Sequence, residues 1–132
     1  MPDRRTNPGT RRFGSKVTNH PCLLGRNKGP NAVELLLQAL GFCYAVGYAA
    51  NAAARGIEIN AMEYELEGDL DVRSFLGLGG VRAGFTEIRA KARVSSPNAT
   101  TEQLVELCQY VQDTSPVRDS LANPVITTVE GR

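Results

Sequence analysis

Residues 31–55, NAVELLLQALGFCYAVGYAANAAAR, form the segment that most limits what this chain can fold into. Asn31 is a good helix N-cap, and Glu34 three residues later fits a capping box. Gly56 provides a C-terminal stop after Arg55. The segment therefore predicts one uninterrupted helix of about seven turns.

This helix is apolar on nearly all sides, because Gln38 and Asn51 are its only strongly polar residues between positions 35 and 54. Such a helix is either a core helix or a membrane span. The many Gly and Ala residues, the two amides and the strand patterns that follow favour a core helix, so we expect no membrane contact. A central position fits it, with a second copy of the helix in a dimer as a candidate neighbour.

The chain has 132 residues, of which 42% are apolar and 22% charged, as in a soluble globular protein of one domain. The charge is uneven. Residues 1–30 carry seven Lys and Arg against one Asp, whereas residues 31–132 carry eight basic and thirteen acidic side chains. We interpret residues 1–20 as a basic, flexible arm and residues 21–132 as the folded domain.

Two segments, residues 57–67 and 86–94, alternate apolar and polar side chains in the pattern of half-buried strands. The outer face of the first is acidic and that of the second is basic. An antiparallel pairing that sets Glu65 opposite Arg89 would therefore be favourable.

The remaining elements follow the two strands. Residues 101–113 predict a second helix with one apolar stripe, Ser115-Pro116 opens a short third helix, and residues 125–129 (VITTV) predict a closing strand. The predicted order is a long helix, two antiparallel strands, two helices and a strand. This is an α+β fold with helices packed on an antiparallel sheet.

The cysteine pattern indicates the compartment. Cys22, Cys43 and Cys108 are an odd, scattered set, and the sequence shows no secretory segment. A disulfide scaffold is therefore not expected, and we predict a cytoplasmic protein.

No cofactor is expected from the motifs. His20 is the only histidine and has no cysteine or carboxylate cluster at ligand spacing, so no metal site is predicted. The GLGGVRAG segment (77–84) has an Arg where the dinucleotide fingerprint needs its third Gly, and it lacks the Gly-Lys-Ser/Thr ending of a phosphate loop. It predicts a flexible loop.

Four sequence blocks resemble the OsmC/Ohr superfamily and together span roughly residues 21–132. They are GPNAVELLLQALGFCYAV (29–46), AARGIEI (53–59), EGDLD…FLGL…GFTEIR (67–89) and SPVRDSLANPV (115–125). The first block is the most specific, because a Gly-Pro-Asn turn, Glu-Leu-Leu and Ala-Leu-Gly-x-Cys follow one another into a single helix. The resemblance implies an OsmC-like fold, in which a long central helix packs on an antiparallel sheet within an intertwined homodimer.

The resemblance also implies a chemistry. Well-studied members reduce organic hydroperoxides with a reactive cysteine on the long helix, which a second cysteine and then an external dithiol return to the thiol. Cys43 matches the first cysteine. Where the peroxidases read Cys-Pro, this chain reads Ser115-Pro116. Glu34 lies nine residues before Cys43, which matches the spacing of a helper carboxylate in some branches of the superfamily. Glu34 is equally accounted for as the capping-box partner of Asn31.

A reactive thiol on this helix would need a cation, because apolar burial keeps a thiol protonated and the helix dipole is weak at mid-helix. The resemblance implies an arginine from the N-terminal strands, for which Arg11, Arg12 and Arg26 are candidates. Cys22 and Cys108 are the only candidates for a resolving thiol, and Cys108 is expected to serve core packing.

Three functions remain open at this point. The first is a thiol-dependent organic hydroperoxide reductase of oxidative-stress defence, with Cys43 as peroxidatic nucleophile, Glu34 as its helper and an external thiol as reductant. The second is a non-peroxidatic dimeric module that binds small apolar or thiol-reactive compounds. The third, nucleic-acid contact through the arm, is the least favoured, because the arm offers bases no aromatic platform.

Overall fold

The computed structural model describes residues 10–14 and 29–131. Its elements are β1 (Thr10–Gly14), α1 (Ala32–Ala54), β2 (Ala61–Asp71), β3 (Phe85–Ser95), α2 (Thr101–Thr114) and α3 (Pro116–Ala122). The strands form one sheet in the order β1-β2-β3, and β1 pairs antiparallel with β2. The α+β prediction is confirmed. β1 lies within the predicted arm, and the other arm residues lie outside the described part of the chain.

The ends of α1 follow the predicted capping signals. The Oδ1 of Asn31 accepts the Glu34 N–H at 2.8 Å, as an N-cap does. At the other end, Gly56 takes a positive φ of 67°, which glycine adopts without steric cost. The Ile57 N–H then donates to the Ala52 carbonyl at 2.8 Å and closes the helix.

Helices α2 and α3 are joined by a single residue. Thr100 and Gln103 form a complete capping box at the start of α2. Ser115 ends α2 and also caps α3, since its Oγ accepts the Arg118 N–H at 3.1 Å, and Pro116 occupies the first helical position. Both helices begin where the sequence predicts.

The chain's internal contacts group into two compact units. The described residues of the first are 10–14, 29–41 and 64–92, which comprise β1, the start of α1 and most of β2 and β3. Leucines form its core: Leu37, Leu40, Leu66 and Leu70 are all at most 7% exposed. Burial of such side chains is the main stabilising term for a unit of this size.

The charge pairs between β2 and β3 differ from the predicted ones. Arg89 donates to Glu67 at 2.9 Å and to Asp69 at 2.9 and 3.0 Å, rather than to Glu65. Residues two apart on a strand lie on the same face, so the alternation pattern does not choose among these partners. β2 extends to Asp71, four residues beyond the predicted end, and so brings Asp69 within reach.

The second unit comprises residues 42–63 and 93–131, with the rest of α1, α2 and α3. Tyr44, Tyr48, Ala52, Leu107 and Val111 are its buried apolar residues, each at most 7% exposed. The Leu107 and Val111 pair confirms the apolar stripe predicted for α2.

The predicted closing strand is wrong. Residues 125–129 have no regular secondary structure, and Ile126 and Val129 are 94% and 95% exposed. A β-branched run predicts a strand only where another strand's edge is free to pair with it, and this segment pairs with no other described residue.

Helix α1 also carries an apolar face that the described part of the chain does not cover. By length and composition α1 would pass for a membrane span, a test that core helices of soluble proteins pass as well. Six exposed apolar residues recur along it at intervals of three or four: Leu35, Ala39, Phe42, Val46, Ala49 and Ala53. We call this face the exposed stripe.

Candidate active site

The site is built where α1 meets the junction of α2 and α3, within the second unit. Cys43 lies in the middle of α1 and is half-buried. Its Sγ is 3.1 Å from the Oγ of Ser115, 72 residues later in the sequence. The structure thus brings together the residue predicted as nucleophile and the serine that replaces the second cysteine of the peroxidases.

The close crossing of α1 and α2 explains this contact. A Cβ added at Gly47 would lie 3.0 Å from the Cγ1 of Val111, so the helices touch at this point. Cys43 precedes Gly47 by one turn and Ser115 follows Val111 by one turn, so the two helices run antiparallel here.

Ser115 does more than the sequence predicts for it. Its capping role is confirmed, but its hydroxyl also faces the thiol, and the residue is 4% exposed. The signal was present in the resemblance, because this position is where the peroxidases carry their second cysteine. A serine cannot form a disulfide, and this obscured its contact with Cys43.

Tyr44 shows which groups surround the thiol. Burial raises the pKa of Tyr44 above its ordinary value, nearby Arg118 opposes this, and Cys43 and Cys108 add to it. The phenol therefore stays protonated at neutral pH. Arg118 is the one arginine of the second unit that acts on this group, and the sequence reasoning missed it because α3 carries no motif for a cation.

Cys108 lies on α2 beside Gln112, whose Nε2 donates to its Sγ at 3.4 Å. Cys43 and Cys108 are both free thiols, and both are half-buried. The packing role of Cys108 remains a prediction.

Glu34 lies in the first turn of α1 and is 5% exposed. Nine residues separate it from Cys43, which on one helix is about 14 Å along the axis and half a turn around it. Its capping position is as predicted, and its role as helper of Cys43 remains a prediction.

The other candidates from the N-terminal region lie beyond what the structure describes. They are Cys22, His20 and Arg26, together with the side chains of Arg11 and Arg12, whose backbone forms part of β1. Within the described part of the chain, no group of three or more His, Cys, Asp and Glu side chains is placed to hold a metal ion.

An α+β fold that carries a cysteine in the middle of its long helix, beside a capping residue of a later helix, is that of an OsmC-like protein. The family described as OsmC-like protein matches residues 25–130. The chain belongs to this family.

Solved structures share the fold. An OsmC-like protein from Mycoplasma pneumoniae matches with a TM-score of 0.62 and 24% identity, over 72% of this chain and 64% of that one. The chain thus spans under two thirds of that relative's length. An organic hydroperoxide resistance protein OsmC from Legionella pneumophila, described as a predicted redox protein and regulator of sulfide bond formation, matches with a TM-score of 0.57 and 11% identity, over 85% of this chain and 86% of that one. No curated protein sequence matches the chain.

Proposed function

We propose that this protein is a thiol-dependent organic hydroperoxide reductase in which Cys43 is the nucleophile. The observation that carries the proposal is the contact between the half-buried Cys43 thiol and Ser115. This is the pair of positions at which the resembling peroxidases hold their two cysteines. The Legionella pneumophila relative is described as an organic hydroperoxide resistance protein, and this description supports a hydroperoxide as the substrate that we propose.

The proposed cycle uses one cysteine. The Cys43 thiolate attacks the terminal oxygen of a hydroperoxide ROOH, the O–O bond breaks, and the leaving alkoxide takes a proton to give ROH and a sulfenic acid. One external thiol then displaces water and forms a mixed disulfide. A second external thiol releases the Cys43 thiol and leaves as an external disulfide. A reducing cytoplasm is the compartment that we propose, because it provides such thiols.

The neighbours of the thiol favour this reaction with an organic substrate. Cys43 is flanked in the sequence by Phe42, which is 70% exposed, and by Tyr44, which is buried. Aromatic neighbours favour alkyl hydroperoxides over hydrogen peroxide, because an alkyl group gains apolar contacts that hydrogen peroxide lacks.

We further propose a homodimer in which the exposed stripe of α1 packs against the stripe of a second copy. Phe42 and Val46 are each 70% exposed, and the six residues recur at the spacing of a helix-pairing seam. The alanines allow two helices to approach closely. A second copy would cover an apolar face that a single soluble chain would otherwise leave in water.

A second candidate is a module that binds small apolar or thiol-reactive compounds without reducing them. The observation that favours it is Ser115 itself, because the usual second thiol is absent at that position. Such a module would retain its ligand when Cys43 is replaced, whereas a peroxidase would lose turnover.

The deciding experiment measures cumene hydroperoxide consumption by the purified protein with a dithiol as reductant. Cys43→Ser should reduce turnover to the dithiol background. Cys108→Ser is the matched control, a half-buried cysteine in the same unit, and should retain turnover. Wild-type turnover no faster than the dithiol alone would refute the reductase, and thermal melts establish that both variants are folded.

A further inference from the structure

The hydrogen bonds of Ser115 determine where its one proton points. A serine hydroxyl has one proton to donate and two lone pairs to accept. The Arg118 backbone N–H, 3.1 Å away, occupies a lone pair. The residue is 4% exposed, so water has little access, and the Sγ of Cys43 at 3.1 Å is the remaining contact. While Cys43 is a thiol, either group can donate across this contact, but a Cys43 thiolate has no proton, so the Ser115 hydroxyl is then the donor.

We propose that Ser115 is a positioning residue that donates a hydrogen bond to the Cys43 thiolate. Because Ser115 stands where a second cysteine would otherwise lie, the site works with one cysteine. The inference rests on the proposed function. A hydrogen bond to an anionic acceptor is about twice as strong as one between neutral groups. A thiolate in mid-helix has little help from the helix dipole, so a fixed donor is what this position needs.

The capping bond makes the donor rigid. Because the Arg118 N–H holds the Ser115 oxygen at the start of α3, the hydroxyl does not have to be ordered when the thiolate forms. After attack on a peroxide, the same hydroxyl faces the sulfenic acid but cannot form a disulfide with it. The oxidised sulfur therefore waits for an external thiol.

Other titratable and charged groups of the second unit must be held constant in any test. Tyr44 on α1, Cys108 on α2 and Arg118 on α3 are the titratable or charged groups of the second unit that interact around this point. None of them is altered by substitutions at Ser115. A change in the pH profile of such variants therefore reports either the Ser115 hydroxyl or the helix cap that it forms, and the choice of variants separates the two.

The test is the pH–rate profile of Cys43 alkylation by iodoacetamide, read on the Cys43 peptide by mass spectrometry. Ser115→Gly removes the hydroxyl but keeps most of the cap stability, since Gly caps nearly as well as Ser. We expect about tenfold slower alkylation at pH 7 and a profile moved to higher pH, as for loss of a hydrogen bond to a charged group. Ser115→Ala should behave alike, and Ser115→Thr, which keeps a hydroxyl and a cap, should stay within about twofold of wild type.

A glycine variant whose profile overlays the wild type, while the alanine variant is slow, would assign the effect to the helix cap and overturn the inference. The readout needs no peroxide. A shifted profile without peroxide turnover would therefore leave the hydrogen bond standing and refute only the reductase.

A second measurement tests the geometry. In Ser115→Cys, a sulfur replaces the oxygen that lies 3.1 Å from the Sγ of Cys43. Diamide, as two-electron oxidant, should then remove one hydrogen from each thiol and produce a disulfide-linked peptide that joins positions 43 and 115. A folded Ser115→Cys variant without this disulfide would show that the two residues are not neighbours in solution and overturn the inference.

Discussion

Gly47 of α1 lies against Val111 of α2 so closely that a Cβ at position 47 would be 3.0 Å from the valine Cγ1. This contact sets the distance between the two helices. Since Cys43 and Ser115 lie one turn away from it on their respective helices, it also sets the distance between the thiol and the hydroxyl. The site therefore depends on a residue that takes no part in its chemistry.

A larger residue at position 47 should weaken both the fold and the site. Gly47→Leu should destabilise the protein by about 1–3 kcal/mol, because overpacking forces the helices apart. It should also increase the rate at which Cys43 is alkylated by a bulky maleimide. Ala54→Leu, at the exposed end of the same helix, is the control and should change stability by less than about 0.5 kcal/mol. Equal urea midpoints for the two variants would contradict the close contact.

Gly68, on strand β2 of the sheet, is another glycine whose position leaves no room for a side chain. A Cβ at Gly68 would lie 2.5 and 2.7 Å from two atoms of the Phe85 ring, closer than real contacts allow. Gly68→Ala should therefore lower the free energy of unfolding by about 1–3 kcal/mol in urea denaturation. Gly84→Ala is the matched control, since its nearest neighbour would be the Arg82 Nε at 3.8 Å. A loss of stability as large in Gly84→Ala would point to a general effect of replacing glycine instead of the ring contact, because reduced backbone entropy of the unfolded chain would by itself stabilise the protein.

The Asp71–Arg73 pair should make stability depend on pH in the acid range. Hydrogen bonds from the Arg73 side chain lower the pKa of Asp71 below its ordinary value of 3.8, so the folded state binds this proton less readily than the unfolded state. The contribution is complete above pH 3.8 and is lost as the pH falls through the lowered value.

This dependence is measured by urea denaturation between pH 7 and pH 2. Asp71→Asn should be less stable than wild type near neutral pH, and the difference should shrink in acid. Arg73→Met should flatten the profile in the same way, and the double variant should add nothing further. If wild type exceeded Asp71→Asn in free energy of unfolding by the same amount at pH 2 as at pH 7, the Asp71–Arg73 pair would not be the source of the pH dependence.

Charge on the exposed stripe should prevent the proposed dimer. Val46 is 70% exposed in a single chain, and two copies of Val46→Glu would bring like charges together in an apolar interface. We expect the dissociation constant to rise at least about tenfold in analytical ultracentrifugation. Gln109→Glu adds the same charge on the exposed face of α2 and should leave the mass unchanged. A wild-type protein that sediments as a monomer at all concentrations would refute the dimer.

The sequence by itself determined the elements whose signals are local. Asn31 and Gly56 mark the ends of α1, and Thr100 with Gln103 marks the start of α2, because caps are satisfied within one turn of chain. Cys43 was also predicted as the nucleophile from its own block of sequence, and that role remains a prediction. These features depend on neighbours only a few residues away, so a linear pattern contains them.

Only the tertiary structure decided the features that join distant residues. Arg89 pairs with Glu67 and Asp69 instead of the predicted Glu65, since all three carboxylates lie on one face of β2 and side-chain alternation does not choose among them. Residues 125–129 have strand-forming side chains but no partner strand among the described residues. Above all, the contact between Cys43 and Ser115 arises because Gly47 allows two antiparallel helices to approach, and no pattern within either helix specifies what the other brings to it.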